Sequence, residues 1–212
     1  MNAIIPYETG HPPIRSYRLR QHATPFNHHT WYNLKQVLAY ALDDTRDESQ
    51  ILCSMHNFFL TRFDLKCLGP DKLVYNKVVT MHCQILNGMD KGNRKHSLSP
   101  NFVSDVENKR GSLSPKYICD NLWKYFKNTR LCTYEQLFIP ICRKNHWYLI
   151  ILNIHAKRIE LLDSLIDGRK KRMDAFIEKL VNVLSTVIGI QERRPSVDMT
   201  EFEFVVPEVT RS

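Results

Sequence analysis

The chain has 212 residues, 43% of them hydrophobic and 25% charged, and 30 Lys and Arg against 22 Asp and Glu give a formal charge of +8. Such a balance describes a globular protein of one or two domains that buries a core without covalent staples, and it excludes disordered and collagen-like chains. The charge admits an acidic protein surface or nucleic acid as a partner and establishes neither, while the longest wholly apolar run, residues 148–152, is far too short to span a bilayer.

Residues 1–29 are rich in Pro, His and Arg and read as a loose extension, without the apolar core of a signal peptide. Thr30 is placed to cap a helix whose apolar positions Trp31, Leu34, Val37, Leu38 and Leu42 recur at helical spacing. "DDTRDES" (43–49) breaks that pattern, and Ile51, Leu52, Met55, Phe58 and Phe59 fit one face of a second helix. A third is expected over 71–86, striped by Leu73, Val74, Val78, Met81 and Ile85. From 87 to 114 the composition turns polar and rich in Ser and Lys, which predicts a flexible insertion. "PKYICDNLWKYF" (115–126) resumes a helical pattern, with Pro115 suited to a first turn.

The period then changes. "QLFIPIC" reads as a short strand that Pro140 assigns to an edge or a bulge. Residues 146–154 and 157–163 read as two more, the first apolar on both faces and therefore central and covered on both sides. Residues 169–188 predict an amphipathic helix with Met173, Phe176, Ile177, Leu180, Val181, Leu184 and Val187 in line, and "FEFVV" (202–206) predicts a last strand. The basic run "GRKKR" (168–172) reads as a solvated helix end, with a nuclear-import or phosphate-binding patch as the alternative. Helices first and then a sheet with a covering helix make the class α+β. The expected organisation is an N-terminal extension over 1–60 and one domain over 61–212.

The six cysteines, at 53, 67, 83, 119, 132 and 142, form no Cys-x-x-Cys pair and no zinc spacing with histidine. No metal or cofactor is expected, and free thiols point to a reducing compartment, nuclear or cytoplasmic.

The two central strands carry His146-Trp147 at the start of one and Asp163-Ser164 at the end of the next. A hairpin turning at His155-Ala156 pairs Ile154 with Lys157 and sets Tyr148 opposite Asp163. His146 then shares that face diagonally from Asp163, within side-chain reach. A carboxylate on one ring nitrogen fixes the imidazole tautomer, and the other nitrogen is free to take a proton from a thiol or hydroxyl. Two strand ends facing water is the plain structural alternative.

"HWYLIILNIHAKRIELLDSL" resembles the signature of the ubiquitin-like-protein-specific cysteine proteases, the SUMO proteases and their relatives. The resemblance spans roughly residues 64–209 and implies a papain-like architecture, with N-terminal helices on a central mixed sheet. It implies His146 as general base and Asp163 as its orienting acid. Trp147 would wall a narrow tunnel for a Gly-Gly tail. The family's Trp-containing helix start matches "LVYNKVV" (73–79), where Leu73 stands for the Trp and Asn76 for the Asp; Leu73 is kept as a substrate-binding position, and it also fits a core residue. The implied partner is a SUMO-type modifier or its conjugates, bound by a monomer, without nucleic acid or membrane.

In that family a proline-containing link, a Gln and an Asp-Cys-Gly follow the strand that "FEFVV" resembles, whereas this sequence reads "VVPEVTRS" to Ser212. The resemblance therefore implies an incomplete catalytic domain, and loss of a nucleophile lowers turnover by roughly 10⁶. Cys142 stands four residues before His146 and would need the chain to fold back; Cys119 and Cys132 have no base at useful spacing. Two readings stay open beside a peptidase: an inactive module that holds a ubiquitin-like partner, and a nucleic-acid binder resting on the charge.

Overall fold

The structure, a computed structural model, describes residues 36–55, 58–92, 94–165, 172–193 and 198–207. The extension over 1–29, the Thr30 cap and most of the basic run at 168–172 lie outside these residues. Two units are distinct, Met1–Met81 and His82–Ser212, whereas the expected organisation has its boundary between 60 and 61.

In the first unit a short helix, α1 (36–41), precedes a turn-rich segment held by Asx bonds: Asp43 accepts from the Thr45 amide at 3.0 Å and Asp47 from the Ser49 amide at 2.9 Å. The helix expected from Ile51 onward is instead a hairpin, β1 (Ile51–Met55) and β2 (Phe58–Thr61), antiparallel with Met55 opposite Phe58. A short apolar run satisfies both periods, and here the strand pairing decides. Thr61 and Asp64 form a capping box on α2 (Arg62–Leu65). Arg62 is fully buried and organises this unit: it donates to the Tyr40 carbonyl, to Gln50 Oε1 at 2.7 Å and to the Asp47 carbonyl at 3.3 Å, and its guanidinium lies 4.7 Å from the centre of the Tyr40 ring.

The next helix, α3 (Asn76–Met89), begins five residues after the expected start. Residues 72–75 are irregular, and Leu73, 37% exposed, is not a core residue.

The second unit is built on a five-stranded mixed sheet of order β3-β4-β5-β6-β7: Lys95–Ser97, Gln136–Arg143, His146–Asn153, Arg158–Leu162 and Glu203–Val205. The segment 87–114, expected as a flexible insertion, carries β3 and the helix α4 (Pro100–Asn108). Ser99 caps α4 and Pro100 opens it. Phe102 and Val103 precede Val106 by four and three residues in a polar background, too sparse to shift the local composition but enough to bury one stripe. Following α5 (Pro115–Tyr117), one π turn and a 3₁₀ turn carry the chain to Tyr125. Asp174 caps α6 (Ala175–Glu192), accepting from the Phe176 and Ile177 amides, so this helix starts later and runs further than expected.

One face of the sheet is the core. Leu137, Ile139 and Ile141 of β4, Ile150 and Leu152 of β5, and Ile159 and Leu161 of β6 pack with the buried stripes of α4 and α6. On the other face Phe138, Leu149, Ile151 and Leu162 are half-buried, so β5 is central but not covered equally on both sides. β4 is not an edge strand, because it lies between β3 and β5. Pro140 is tolerated there because β3 pairs only as far as Ser97 with Phe138, and among the described residues no strand on that side needs the missing amide. The outward edge of β3 is occupied by side chains: Asn87 Nδ2 donates to the Ser97 carbonyl at 2.9 Å, Asn87 Oδ1 accepts from the Ser97 amide at 2.6 Å, and Asp90 Oδ2 accepts from the Lys95 amide at 2.5 Å.

Candidate active site

Two tight turns align the side chains that matter. Lys144 and Asn145, at φ 51° and 59°, form a two-residue turn of the left-handed kind that matches the strand twist, so Arg143 pairs directly with His146 and Cys142 with Trp147. The second turn, 154–157, joins β5 to β6, and Asn153 Oδ1 accepts the Ala156 amide at 2.9 Å. Its register, Leu149 with Leu162 and Ile150 with Leu161, extends to Tyr148 opposite Asp163, as the sequence pattern predicts.

His146 and Asp163 therefore meet. Nε2 of the imidazole lies 2.7 Å from Asp163 Oδ1, and the same oxygen accepts the Leu165 amide at 2.9 Å. The Asp163 side chain is 7% exposed and that of His146 is 26% exposed, so the carboxylate is enclosed while the ring reaches solvent. A carboxylate only accepts, so a neutral imidazole in this contact carries its proton on Nε2 and leaves Nδ1 bare. That nitrogen is the one able to take a proton from a substrate or a thiol.

Around the pair lie groups to which the sequence pattern alone gives no role. Tyr148 is two residues along β5 on the same face, with its ring inclined only 23° to the imidazole at a centroid distance of 6.3 Å. Arg143, the cross-strand neighbour of His146, acts electrostatically on the Tyr148 phenol. It also pairs with Glu107 of α4 at 2.7 Å and lies over the Phe176 ring of α6 at 4.4 Å. Burial, opposed by the Arg143 charge, pushes the Tyr148 phenol up, so it stays protonated. The alternation of β5 already places Tyr148 beside His146, and reading Lys144-Asn145 as a turn would have found Arg143. Glu107 required the tertiary fold.

Trp147 follows His146 and so points to the opposite face, where it is half-buried beside Cys142. The chain does fold back at Cys142, but the pairing turns that thiol to the face away from His146. Burial pushes the Cys53, Cys83, Cys132 and Cys142 thiols up, Cys83 to about 11, opposite to what a nucleophilic thiol needs. Leu73 belongs to the first unit, immediately before α3. Among the described residues no cluster of His, Cys, Asp and Glu is arranged to hold a metal, and no helix is long and apolar enough to cross a membrane. A cavity of about 470 Å³ between Gly111–Leu113 and α6 shares no residue with the His146–Asp163 pair.

Residues 76–210 match the family described as the Ulp1 protease family, C-terminal catalytic domain. Among curated proteins, ubiquitin-like-specific protease 1A of Arabidopsis thaliana is 24% identical over 131 residues, which make up 59% of this chain and 26% of that protein. The chain thus spans about a quarter of the length of the curated relative it matches. Among solved structures, the C-terminal Ulp1 protease domain in complex with Smt3, the yeast ortholog of SUMO, superposes with a TM-score of 0.62 at 18% identity, covering 88% of this chain and 76% of that one. SUMO protease Ulp1 with its catalytic cysteine oxidised to a sulfinic acid gives 0.62 at 17% identity, covering 89% and 77%. The Chaetomium thermophilum Ulp1-like SUMO protease catalytic domain gives 0.52 at 18%, covering 90% and 75%. At these identities the structural likeness establishes the fold: α+β, with helices and a mixed five-stranded sheet.

Proposed function

The chain belongs to the Ulp1 protease family, and from that premise we propose that it provides the base and acid of a cysteine peptidase acting after the Gly-Gly terminus of a SUMO-type modifier. The observation that carries the proposal is the 2.7 Å contact between His146 Nε2 and the enclosed Asp163 carboxylate. In this reading Nδ1 of His146 takes the proton of a thiol that is none of this sequence's six cysteines, and the thiolate adds to the carbonyl carbon after the Gly-Gly pair. The imidazolium returns the proton to the leaving amine as the peptide or isopeptide bond breaks, and water then hydrolyses the thioester. Asp163 holds the ring and stabilises its charged form. Trp147 and Leu73 are assigned to contacts with the modifier's tail. A nuclear or cytoplasmic setting accords with the six free thiols.

A second reading, a modifier-binding module without turnover, is favoured by the raised thiols of Cys53, Cys83, Cys132 and Cys142. One experiment tests the partner that both readings share and the role of the six thiols. The 212-residue chain is titrated with a SUMO protein ending in Gly-Gly, followed by NMR, and then incubated with the same modifier carrying a vinyl-sulfone warhead. The expected result is saturable shifts at His146 and Trp147 with no adduct on the six cysteines. An adduct on any of them overturns the assignment of these thiols as bystanders. Absence of shifts at both residues up to about millimolar modifier removes the SUMO-type partner.

A further inference from the structure

The proposed mechanism uses Nδ1 and Nε2 of His146 but leaves a question of aim. A hydrogen bond to one carboxylate oxygen fixes where Nε2 sits and leaves the ring able to pivot about it. His146 is the first residue of β5, directly after the Lys144–Asn145 turn. Its side chain is a quarter exposed, so enclosure alone does not hold it.

We infer that Tyr148 is a positioning residue that sets the plane of the His146 ring, and that Arg143 ties this tyrosine to the two helices covering the sheet. The inference rests on the reading of His146 as a general base. Three observations converge on it. The two rings lie 23° from parallel on one face of β5 with centroids 6.3 Å apart, an offset arrangement that favours one imidazole tilt. The register sets Tyr148 opposite Asp163 and Arg143 opposite His146, so the four side chains form one quadrant of the sheet. Arg143 is fixed at two points, Glu107 of α4 at 2.7 Å and the Phe176 ring of α6 at 4.4 Å, and from there its charge acts on the Tyr148 phenol. A guanidinium held by a carboxylate and an aromatic face has little freedom left, and it transmits that fixity to the phenol.

An exposed ion pair is a weak source of stability, and Arg143 and Glu107 are each about a third exposed. Their value here is geometric. The groups facing the imidazole are then Asp163 on Nε2, the Tyr148 ring beside it, and Arg143 with its charge compensated by Glu107; Asp174, the cap of α6, adds a weaker charge effect on the Tyr148 phenol.

The test reads the imidazole itself and needs no turnover. Long-range proton–nitrogen correlation spectra of the ¹⁵N-labelled 212-residue chain, with His146 assigned from the H146Q spectrum, report which ring nitrogen carries the proton. The expected wild-type pattern is the Nε2-protonated form. Tyr148→Leu should lower that tautomer preference at least about threefold, Tyr148→Phe should retain most of it because the ring remains, and Arg143→Met should fall between them. Ile150→Val, a methyl deletion on the same strand and face, should leave it unchanged. The inference is overturned if folded Tyr148→Leu keeps the wild-type pattern, or if Ile150→Val shifts it equally, since ordinary packing then suffices. Should Tyr148→Leu not fold, Arg143→Met decides: an unchanged pattern there removes the tie. A chain with the expected spectra that binds no SUMO-type modifier counts against the proposed function and leaves the positioning role standing.

Discussion

His96 shows what one side chain on this sheet does to the pH dependence of folding. It lies on β3 beside the Tyr134 ring, with centroids 4.8 Å apart, and burial pushes its pKa down to about 4 from an ordinary value of 6.5. The unfolded chain therefore binds a proton that the folded chain refuses between those two values. Stability contributed by the neutral ring is fully present above pH 6.5, falls as the pH drops through that window, and is gone below about 4. The total is roughly 3 kcal/mol as an upper figure. Urea unfolding at pH 6.5 and pH 5, where carboxylates are still largely ionised, should show a drop for the wild type that His96→Phe largely abolishes. An equal drop in both proteins would assign the effect to other groups.

At the scale of elements, α2 and the hairpin before it depend on a cation that, among the described residues, has no carboxylate in hydrogen-bond contact. Arg62 is fully buried and its hydrogen bonds go to the Tyr40 and Asp47 carbonyls and the Gln50 amide oxygen. Its own amide closes on the Gln50 carbonyl at 2.9 Å. Arg62→Met removes every side-chain bond and leaves the three part-enclosed acceptors without their donor, which should cost about 2–4 kcal/mol. Hydrogen exchange of the β1 and β2 amides measures this as lost protection, and a loss under about 0.5 kcal/mol would show that the guanidinium is dispensable. Elements also mark the limit of sequence reading. The β5–β6 register was legible because a tight turn and two apolar strands leave one pairing that keeps Ile150, Leu152, Ile159 and Leu161 on one face. Residues 51–61 were misread because five apolar positions in a short run fit helix and hairpin alike. α4 was missed because its three core residues are diluted among polar ones, and composition averages over what spacing preserves.

At the scale of the molecule, the family and its α+β fold rest on long-range pairing that short motifs only sample. His146 and Asp163 are 17 residues apart and meet through one hairpin, which is why their contact was predictable. Glu107 and Arg143 are 36 residues apart and meet only when α4 packs on the sheet. No local pattern encodes that pairing. The same distinction separates what each substitution perturbs: His146 and Asp163 carry the proposed chemistry, while Glu107, Arg143 and Tyr148 carry the aim of one ring.

The side chains along the outer edge of β3 have a consequence for self-association. An uncovered strand edge presents a row of donors and acceptors on which another chain can template itself. Here the Asn87 amide imitates a neighbouring strand, giving and taking one bond with Ser97, and Asp90 takes the Lys95 amide. The edge is thus occupied by its own helix before any neighbour arrives. Asn87→Ala reopens it without touching the His146 quadrant, and light scattering on concentrated protein should then rise with time while the wild type stays clear. Equal clarity of the two solutions would mean that this end of the sheet is guarded by something other than one asparagine.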